Sequence, residues 1–184
     1  MNKRILVAIG ASSDPNPPSA ATDKARKFAR ALLRYRDEVI LMSGGDGGLM
    51  RIACREFVEG GGLTIGIIPV EDETISEDHP RYSSYNVISI LSGMTYQMRS
   101  IMLARSCSSM VILGGGAGTI IEAFLAYIYA KPLIILTGTG YPSDRLREFC
   151  ENGYLDHRRI VKACFTDDPV EAAELAYSLG RARS

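Results

Sequence analysis

Short apolar segments alternate with amphipathic segments along almost the whole chain. The apolar segments are rich in Ile, Leu and Val, and they lack the alternation of apolar and polar positions that a half-exposed strand shows. Uninterrupted apolar runs of this kind are typical of strands that are buried on both faces of a parallel sheet. The pattern predicts strands at 5–10, 38–44, 63–69, 86–91, 110–114 and 132–136, and a last strand near 160–164.

Between these strands, apolar positions recur three or four residues apart, which is the spacing of one face of a helix. Strands that alternate with helices in this way form α/β domains. We therefore predict a Rossmann-like, doubly wound α/β fold, with a mostly parallel sheet covered by helices on both faces, in a single domain over residues 1–184. The predicted helices lie at 19–35, 48–62, 93–108 and 119–130, near 143–151, and at 168–179.

Three loops follow predicted strands and lead into helices, at the edge of the sheet where ligands bind in such folds. They read GASSDPNPPS, SGGDGGLM and GGGAGT, and the last two are rich in glycine. Glycine lets backbone N–H groups approach a phosphate, and a helix N-terminus adds positive potential. Neither loop has the lysine of a Walker A motif, and Gly114, Gly116 and Gly118 give G-x-G-x-G instead of the dinucleotide pattern G-x-G-x-x-G. A purely structural turn stays open, but two such loops at corresponding strand ends favour phosphate binding.

Two charged residues stand out, and each also has a structural interpretation. Thr119 and Glu122 fit the spacing of a capping box, in which both side chains bond to backbone amides at the start of a helix. On the pattern alone, this cap is favoured over catalysis. Arg99 lies within a predicted helix, where a single arginine is usually solvated. The polar segment 70–85 is either a flap over the site or a solvated acidic loop.

The charge balance disfavours a protein that coats nucleic acid. The chain has 21 basic and 21 acidic residues and a pI near 6.7, whereas such proteins have a strongly basic face. No apolar run is long enough for a transmembrane helix, and the N-terminal segment continues into a normal strand pattern and not a signal peptide. We expect a cytoplasmic protein that contacts neither nucleic acid nor membrane.

The cysteines and histidines do not form a pattern for binding metal. The two histidines have no ligand-spaced partner, and no C-x-x-C spacing occurs, so we predict no metal site. Free thiols are the expected state of the four cysteines, Cys54, Cys107, Cys150 and Cys164.

The segment GGGAGTIIE resembles the P-G-G-x-G-T-x-x-E motif of the LOG family, whose members are cytokinin-activating nucleoside 5′-monophosphate phosphoribohydrolases. In that family a helix with the motif M-H-x-R-K precedes it, and the spacing from Arg99 to Gly114 is the same fifteen residues. The GASS and SGGDGGLM loops also resemble loops of the family. The resemblance covers roughly residues 5–136.

Three positions depart from the LOG motifs. Gly114 replaces the proline, Gln97 the histidine and Ser100 the lysine. In these respects the chain looks more like the molybdenum-cofactor-carrier-like branch of the same superfamily. The resemblance therefore allows two functions: hydrolysis of a nucleoside monophosphate to free base and ribose 5-phosphate, or carriage of a phosphate-bearing ligand such as molybdenum cofactor or a nucleotide.

The resemblance also implies roles for individual residues. Arg99 and Glu122 would be the catalytic pair, and no cofactor would be required. The phosphate or nucleotide would be held by Ser12, by Gly44, Gly45 and Gly47 of one loop, and by Gly115, Gly116, Gly118 and Thr119 of the other.

An older name of this superfamily, lysine decarboxylase, would require a lysine that binds pyridoxal phosphate. None of the lysines lies in the three loops, so we reject that activity; they are Lys3, Lys24, Lys27, Lys131 and Lys162.

The helix TIIEAFLAYIYA is apolar around nearly its whole circumference, which predicts burial on more than one side. We therefore expect a homodimer or higher homo-oligomer through this helix and the helix 93–108.

Overall fold

A parallel sheet forms the centre of the computed structural model, which describes residues 4–45, 47–76, 79 and 84–183. Within that part of the chain the sheet has seven strands, in the order β4-β3-β2-β1-β5-β6-β7, and every neighbouring pair is parallel. The strands are β1 (Ile5–Ala11), β2 (Val39–Ser43), β3 (Leu63–Ile68), β4 (Ile88–Leu91), β5 (Ser109–Gly114), β6 (Leu133–Leu136) and β7 (Ala163–Thr166).

The described residues also form five α-helices and three 3-10 helices, which lie between the strands except for the last α-helix, which follows β7. The α-helices are α1 (Ser19–Leu32), α2 (Gly48–Glu59), α3 (Tyr96–Ser106), α4 (Ala117–Ile128) and α5 (Pro169–Arg181). The 3-10 helices span Leu33–Tyr35, Val70–Asp72 and Pro142–Phe149. No helix of the described part is both long and apolar enough to cross a membrane.

The helices cover both faces of the sheet, as predicted. Successive residues of a strand point to opposite faces, so Val7 and Ile9 pack in the core beneath α1, α2 and α5, whereas Ala8 packs in the core beneath α3 and α4. All three residues are fully buried. This two-sided burial explains why the strands are mostly apolar, and the Rossmann-like α/β prediction is confirmed.

The strand order reverses between β1 and β5. From β1 the chain builds the sheet outward through β2, β3 and β4, and it then returns to place β5 on the other side of β1. The loops after β1 and β5 diverge from each other at such a switch point, which leaves a crevice beyond the carboxyl ends of the two strands. The fold therefore places the GASS and GGGAGT loops on either side of one crevice.

Several predicted boundaries were wrong by a few residues, and two of the errors have local causes. The last strand begins at Ala163 and not near 160, because the chain before it runs across the end of α4, where the N–H of Ile160 donates to the hydroxyl of Tyr127. The segment near 143–151 is a 3-10 helix, and it follows a tight turn in which the Asp144 carboxylate accepts from the amides of Thr139 and Gly140.

The polar segment 70–85 is attached to α3 at its start. Asp72 is buried, and its Oδ2 atom accepts a hydrogen bond of 2.6 Å from the hydroxyl of Tyr96. The N–H of Val70 donates to the carbonyl of Met94. The sequence left open whether this segment is a flap or a solvated loop. Residues 77, 78 and 80–83, on which the answer depends, lie outside the described residues.

Candidate functional site

A cavity of about 450 Å³ lies in the crevice at the switch point. The first loop, the start of α2, one face of α3 and the N-terminal half of α4 form its wall. Its lining residues are Ala11, Ser12, Ser13, Met50, Tyr96, Gln97, Arg99, Ser100, Gly116, Ala117, Gly118, Thr119, Ile121 and Glu122. Two of the lining side chains are charged, and they are the two that the sequence singled out, Arg99 and Glu122.

Glu122 is only 6% exposed, although it faces the cavity. Its Oε1 atom accepts a hydrogen bond of 3.1 Å from the hydroxyl of Ser100. Across the site lies Gly10 of β1, where a Cβ atom would come within 2.9 Å of Glu122 Oε2. Burial raises the pKa of Glu122 to about 7, while the charge of Arg99 and the hydrogen bond from Ser100 act in the opposite direction. Near neutral pH this carboxyl group can therefore both accept and donate a proton.

The capping-box interpretation of Thr119 and Glu122 was wrong. Helix α4 begins at Ala117, its N-cap residue is Gly116, and no side chain caps it. Thr119 therefore lies within the first turn and Glu122 in the second, too far along the helix to reach the N-cap amide. Because the carboxylate is not used to cap the helix, its burial calls for another explanation.

Arg99 is also only 6% exposed, so the interpretation as a solvated helical arginine was wrong. Its Nη1 atom donates to the carbonyl oxygen of Gly44 and, at 3.5 Å, to that of Ile67. The guanidinium carbon lies 5.7 Å from the centre of the Tyr96 ring. Its buried Nε atom has no hydrogen-bond partner among the described residues, and a buried donor without a partner is costly.

The second glycine-rich loop supports the cavity from behind. Gly44, Gly45 and Gly47 are buried and are not part of the lining. Gly44 contacts Arg99, and the carbonyl of Gly45 accepts from Asn86 Nδ2 at 3.1 Å. The structure thus does not bring these three glycines together with the other predicted phosphate-binding residues.

The third loop divides into a structural part and a part that faces the cavity. The N–H of Gly115 donates to the hydroxyl of Ser143 at 3.0 Å, and the carbonyl of Gly114 accepts from the N–H of Ser12 at 2.8 Å. These bonds fix the loop against its neighbours, so the Gly115 amide, a predicted phosphate ligand, is already engaged. In contrast, Gly116, Gly118 and Thr119 line the cavity. The first-turn amides of a helix have no partner within the helix, and here no side chain caps them.

The structure adds lining residues that sequence reasoning missed. Tyr96 and Ser100 occupy positions i and i+4 of α3, which share one face of a helix, and Gln97 also lines the cavity. That spacing around Arg99 was a usable signal. Met50 and Ile121 reach the cavity from α2 and α4, and nothing in the sequence distinguishes them from ordinary core residues.

The described residues offer no metal-binding cluster of three or more His, Cys, Asp or Glu side chains. Lys24, Lys27, Lys131 and Lys162 do not line the cavity, and Lys3 lies outside the described residues. The four cysteines are free thiols, as predicted.

The chain is similar to several known proteins. The model of the SLOG cluster4 family (LDcluster4) matches residues 3–180. Cytokinin riboside 5′-monophosphate phosphoribohydrolase LOG5 of Arabidopsis thaliana is 29% identical over 147 residues, which is 76% of this chain. The match spans only 60% of the length of that curated relative.

Two solved structures share the fold over nearly the whole chain. One is that of TM1055, with 30% identity and a TM-score of 0.83 over 95% of this chain and 99% of the other. The other is a molybdenum cofactor binding protein from the phototrophic bacterium Rippkaea orientalis, with 22% identity and a TM-score of 0.76 over 96% of this chain and 98% of the other. At that identity the second likeness shows the fold alone.

Proposed function

The chain belongs to the SLOG cluster4 family, and we propose that it binds a nucleoside 5′-monophosphate in the cavity between β1 and β5 and hydrolyses its N-glycosidic bond to free base and ribose 5-phosphate. One observation carries this proposal. A buried carboxyl group and a buried guanidinium group face a single cavity at the N-terminus of an uncapped helix. The similarity to the Arabidopsis phosphoribohydrolase supports the same reaction.

The phosphate group would bind at the N-terminus of α4. The amides of Gly116, Gly118 and Thr119 lie at the positive end of the helix dipole, where anions are stabilised. The hydroxyl groups of Thr119 and Ser12 add donors from two sides. None of the lysines that the structure describes lines the cavity, so backbone amides and hydroxyl groups would supply these contacts.

The ribose would then lie over Glu122. The carboxylate accepts a proton from a water molecule as the water oxygen bonds to the anomeric carbon and the bond from that carbon to the base nitrogen breaks. The base keeps the bond electrons, and Glu122 passes the proton taken from water to the base nitrogen. The oxocarbenium-like charge that develops is stabilised by the nearby carboxylate. Arg99, which lines the same cavity, would orient the ribose or base oxygens. Positioning and electrostatics supply most of the rate.

A second candidate function is carriage without turnover, with molybdenum cofactor or a nucleotide as the ligand. It is favoured by Gln97 and Ser100, which stand where the LOG motif has histidine and lysine, and by the fold shared with the molybdenum cofactor binding protein. The two functions differ in whether free base is released.

The test is a panel of nucleoside 5′-monophosphates, assayed for free base and for ligand-induced thermal stabilisation of the protein. Hydrolysis predicts release of base from at least one member by the wild type and loss of at least 100-fold in the variant Glu122→Gln, since a general base contributes about this much. Stabilisation without any release of base would favour the carrier. Full activity of Glu122→Gln would eliminate the catalytic assignment.

We further propose that the protein acts as a cytoplasmic homodimer. Met98 of α3, Met94 just before that helix, and Ile121 and Ile128 of α4 are 40–52% exposed. We propose that these side chains form an apolar face that a monomer would leave in water. Ile121 also lines the cavity, so a second copy on this face would border the site.

A further inference from the structure

Ser100 contacts both Glu122 and the backbone of its own helix. Its side chain is buried, and its Oγ atom lies 3.1 Å from Glu122 Oε1 and 3.3 Å from the carbonyl oxygen of Tyr96. A serine hydroxyl has one proton to donate and two lone pairs that accept. The Ser100 hydroxyl therefore lies between two oxygen atoms, Glu122 Oε1 and the Tyr96 carbonyl, and can donate its proton to only one of them at a time.

This arrangement fits both protonation states of Glu122. An ionised carboxylate is an acceptor only, so the Ser100 hydroxyl must then donate to Oε1. When a proton lies on Oε1, the carboxyl group donates to Ser100 Oγ, and the hydroxyl turns its own proton to the Tyr96 carbonyl. When the proton lies on Oε2 instead, Ser100 continues to donate to Oε1. The contact between Ser100 and Oε1 is kept in all three cases.

A lysine could not do the same. An ammonium group only donates and carries a fixed positive charge, so a lysine at position 100 would stabilise the ionised carboxylate and oppose its protonation. The other titratable groups that the described elements bring to the cavity around Glu122 are Arg99 and Tyr96 of α3. The residues that β1 and α2 bring near Glu122 are Gly10 and Met50, and neither of them titrates.

We propose that Ser100 is a positioning residue that holds Glu122 in one orientation while its carboxyl group gains and loses a proton. The inference rests on the proposed hydrolysis. Glu122 takes a proton from the attacking water as the new bond to the anomeric carbon forms. It returns a proton to the base nitrogen, which keeps the electrons of the broken glycosidic bond. The sum is one nucleotide and one water converted to one base and one ribose 5-phosphate, and Glu122 ends in its starting state without turning.

The test has a readout that does not need turnover. The protonation of Glu122 is followed by carboxyl-carbon NMR of glutamate-labelled protein, with Glu122→Gln to identify the resonance. In Ser100→Ala, the ionised Glu122 carboxylate loses one hydrogen bond, so the titration midpoint of Glu122 should rise by about one pH unit. In Ser100→Lys it moves down, and in Ser100→Thr, which keeps the hydroxyl, it stays near the wild-type value. Ser109→Ala is the matched control, because Ser109 is also a buried serine and its hydroxyl donates to the carbonyl of Ala176, away from the cavity.

For turnover, we expect Ser100→Ala to lower kcat by about 10-fold, as a misplaced catalytic group does, with little change in KM. The acid limb of the pH profile should move with the NMR midpoint, and Ser100→Thr should restore the rate. An unchanged Glu122 titration in Ser100→Ala, in protein that melts cooperatively, would overturn the inference. A wild type that releases no base refutes the proposed hydrolysis instead, and the NMR titration still reports whether Ser100 holds the carboxyl group.

Discussion

The guanidinium group of Arg99 donates a hydrogen bond to the carbonyl oxygen of Gly44, and it fills the space in which any other residue at position 44 would carry its Cβ atom. A larger residue at position 44 would therefore displace a side chain that comes from a helix elsewhere in the chain. The second glycine-rich loop acts on the cavity through this contact, since Gly44 itself does not line the cavity.

Gly44→Ala should therefore impair the site through Arg99. The added methyl group overlaps the guanidinium, so we expect Arg99 to move by an ångström or more and hydrolysis to fall by about 100-fold. Overpacking of this kind should also lower the free energy of unfolding by about 1–3 kcal/mol. The measurement is base release combined with urea unfolding.

A double-mutant cycle identifies the route of this effect. If Gly44 acts through Arg99, then Gly44→Ala adds little to the loss already caused by Arg99→Ala. Additive losses in the double variant would show that the loop affects the site by another route.

The fold was predictable because uninterrupted apolar runs, which indicate buried strands, alternate along the chain with segments that have the apolar spacing of a helix. Strands such as β5 are buried along their whole length and are mostly apolar, so their position can be read from the apolar runs. The rule that ligands bind beyond the carboxyl ends of the strands pointed to three loops, of which the first and third contribute residues to the cavity wall. Predicted boundaries were less accurate where one side chain sets the local geometry. Asp144, within the 3-10 helix Pro142–Phe149, does so by accepting a hydrogen bond from the amide of Thr139 in the preceding turn.

The site was predictable only in part, because its key features depend on three-dimensional contacts. The sequence could not show that α4 starts at Ala117, and with that start Thr119 and Glu122 no longer form a cap. It could not show that Arg99 turns inward to two backbone carbonyls. Nor could it separate the glycines that face the cavity from Gly44 and its neighbours, since both loops have the same composition.

Gly118→Ala should separate stability from binding. A Cβ atom at position 118 would meet no other atom, but it would project from the first turn of α4, where the phosphate is proposed to lie. Alanine favours a helix by up to about 1 kcal/mol over glycine, so stability should be unchanged or slightly higher. Calorimetric titration should show weaker binding of the nucleoside monophosphate and unaltered binding of the same nucleoside without phosphate. Equal weakening of both ligands would place the phosphate elsewhere.

Glu122 should make stability fall as pH rises. Because burial raises its pKa from 4.5 to about 7, the folded protein binds more protons than the unfolded chain between these values, and its stability decreases through that window. The decrease amounts to about 3 kcal/mol at 1.36 kcal/mol per pH unit. Glu122→Gln lacks this titration, so its stability relative to wild type should increase by about that amount between pH 5 and pH 8.

Urea unfolding at several pH values measures this difference. The matched control is Glu151→Gln, which alters an exposed glutamate and should leave the pH dependence as in wild type. Parallel stability curves for wild type and Glu122→Gln across this range would mean that Glu122 titrates normally in the folded protein.

Met98→Glu should dissociate the proposed dimer. Met98 is 52% exposed on the outer side of α3, within the apolar face shared with α4, and a buried unpaired carboxylate at an interface is strongly unfavourable. Light scattering at micromolar concentration should give a dimer for wild type and a monomer for the variant. Val170→Glu is the control, because Val170 of α5 is similarly exposed, at 43%, but lies with α1 on the opposite face of the sheet. A monomeric wild type, or equal effects of the two substitutions, would count against an interface through α3 and α4.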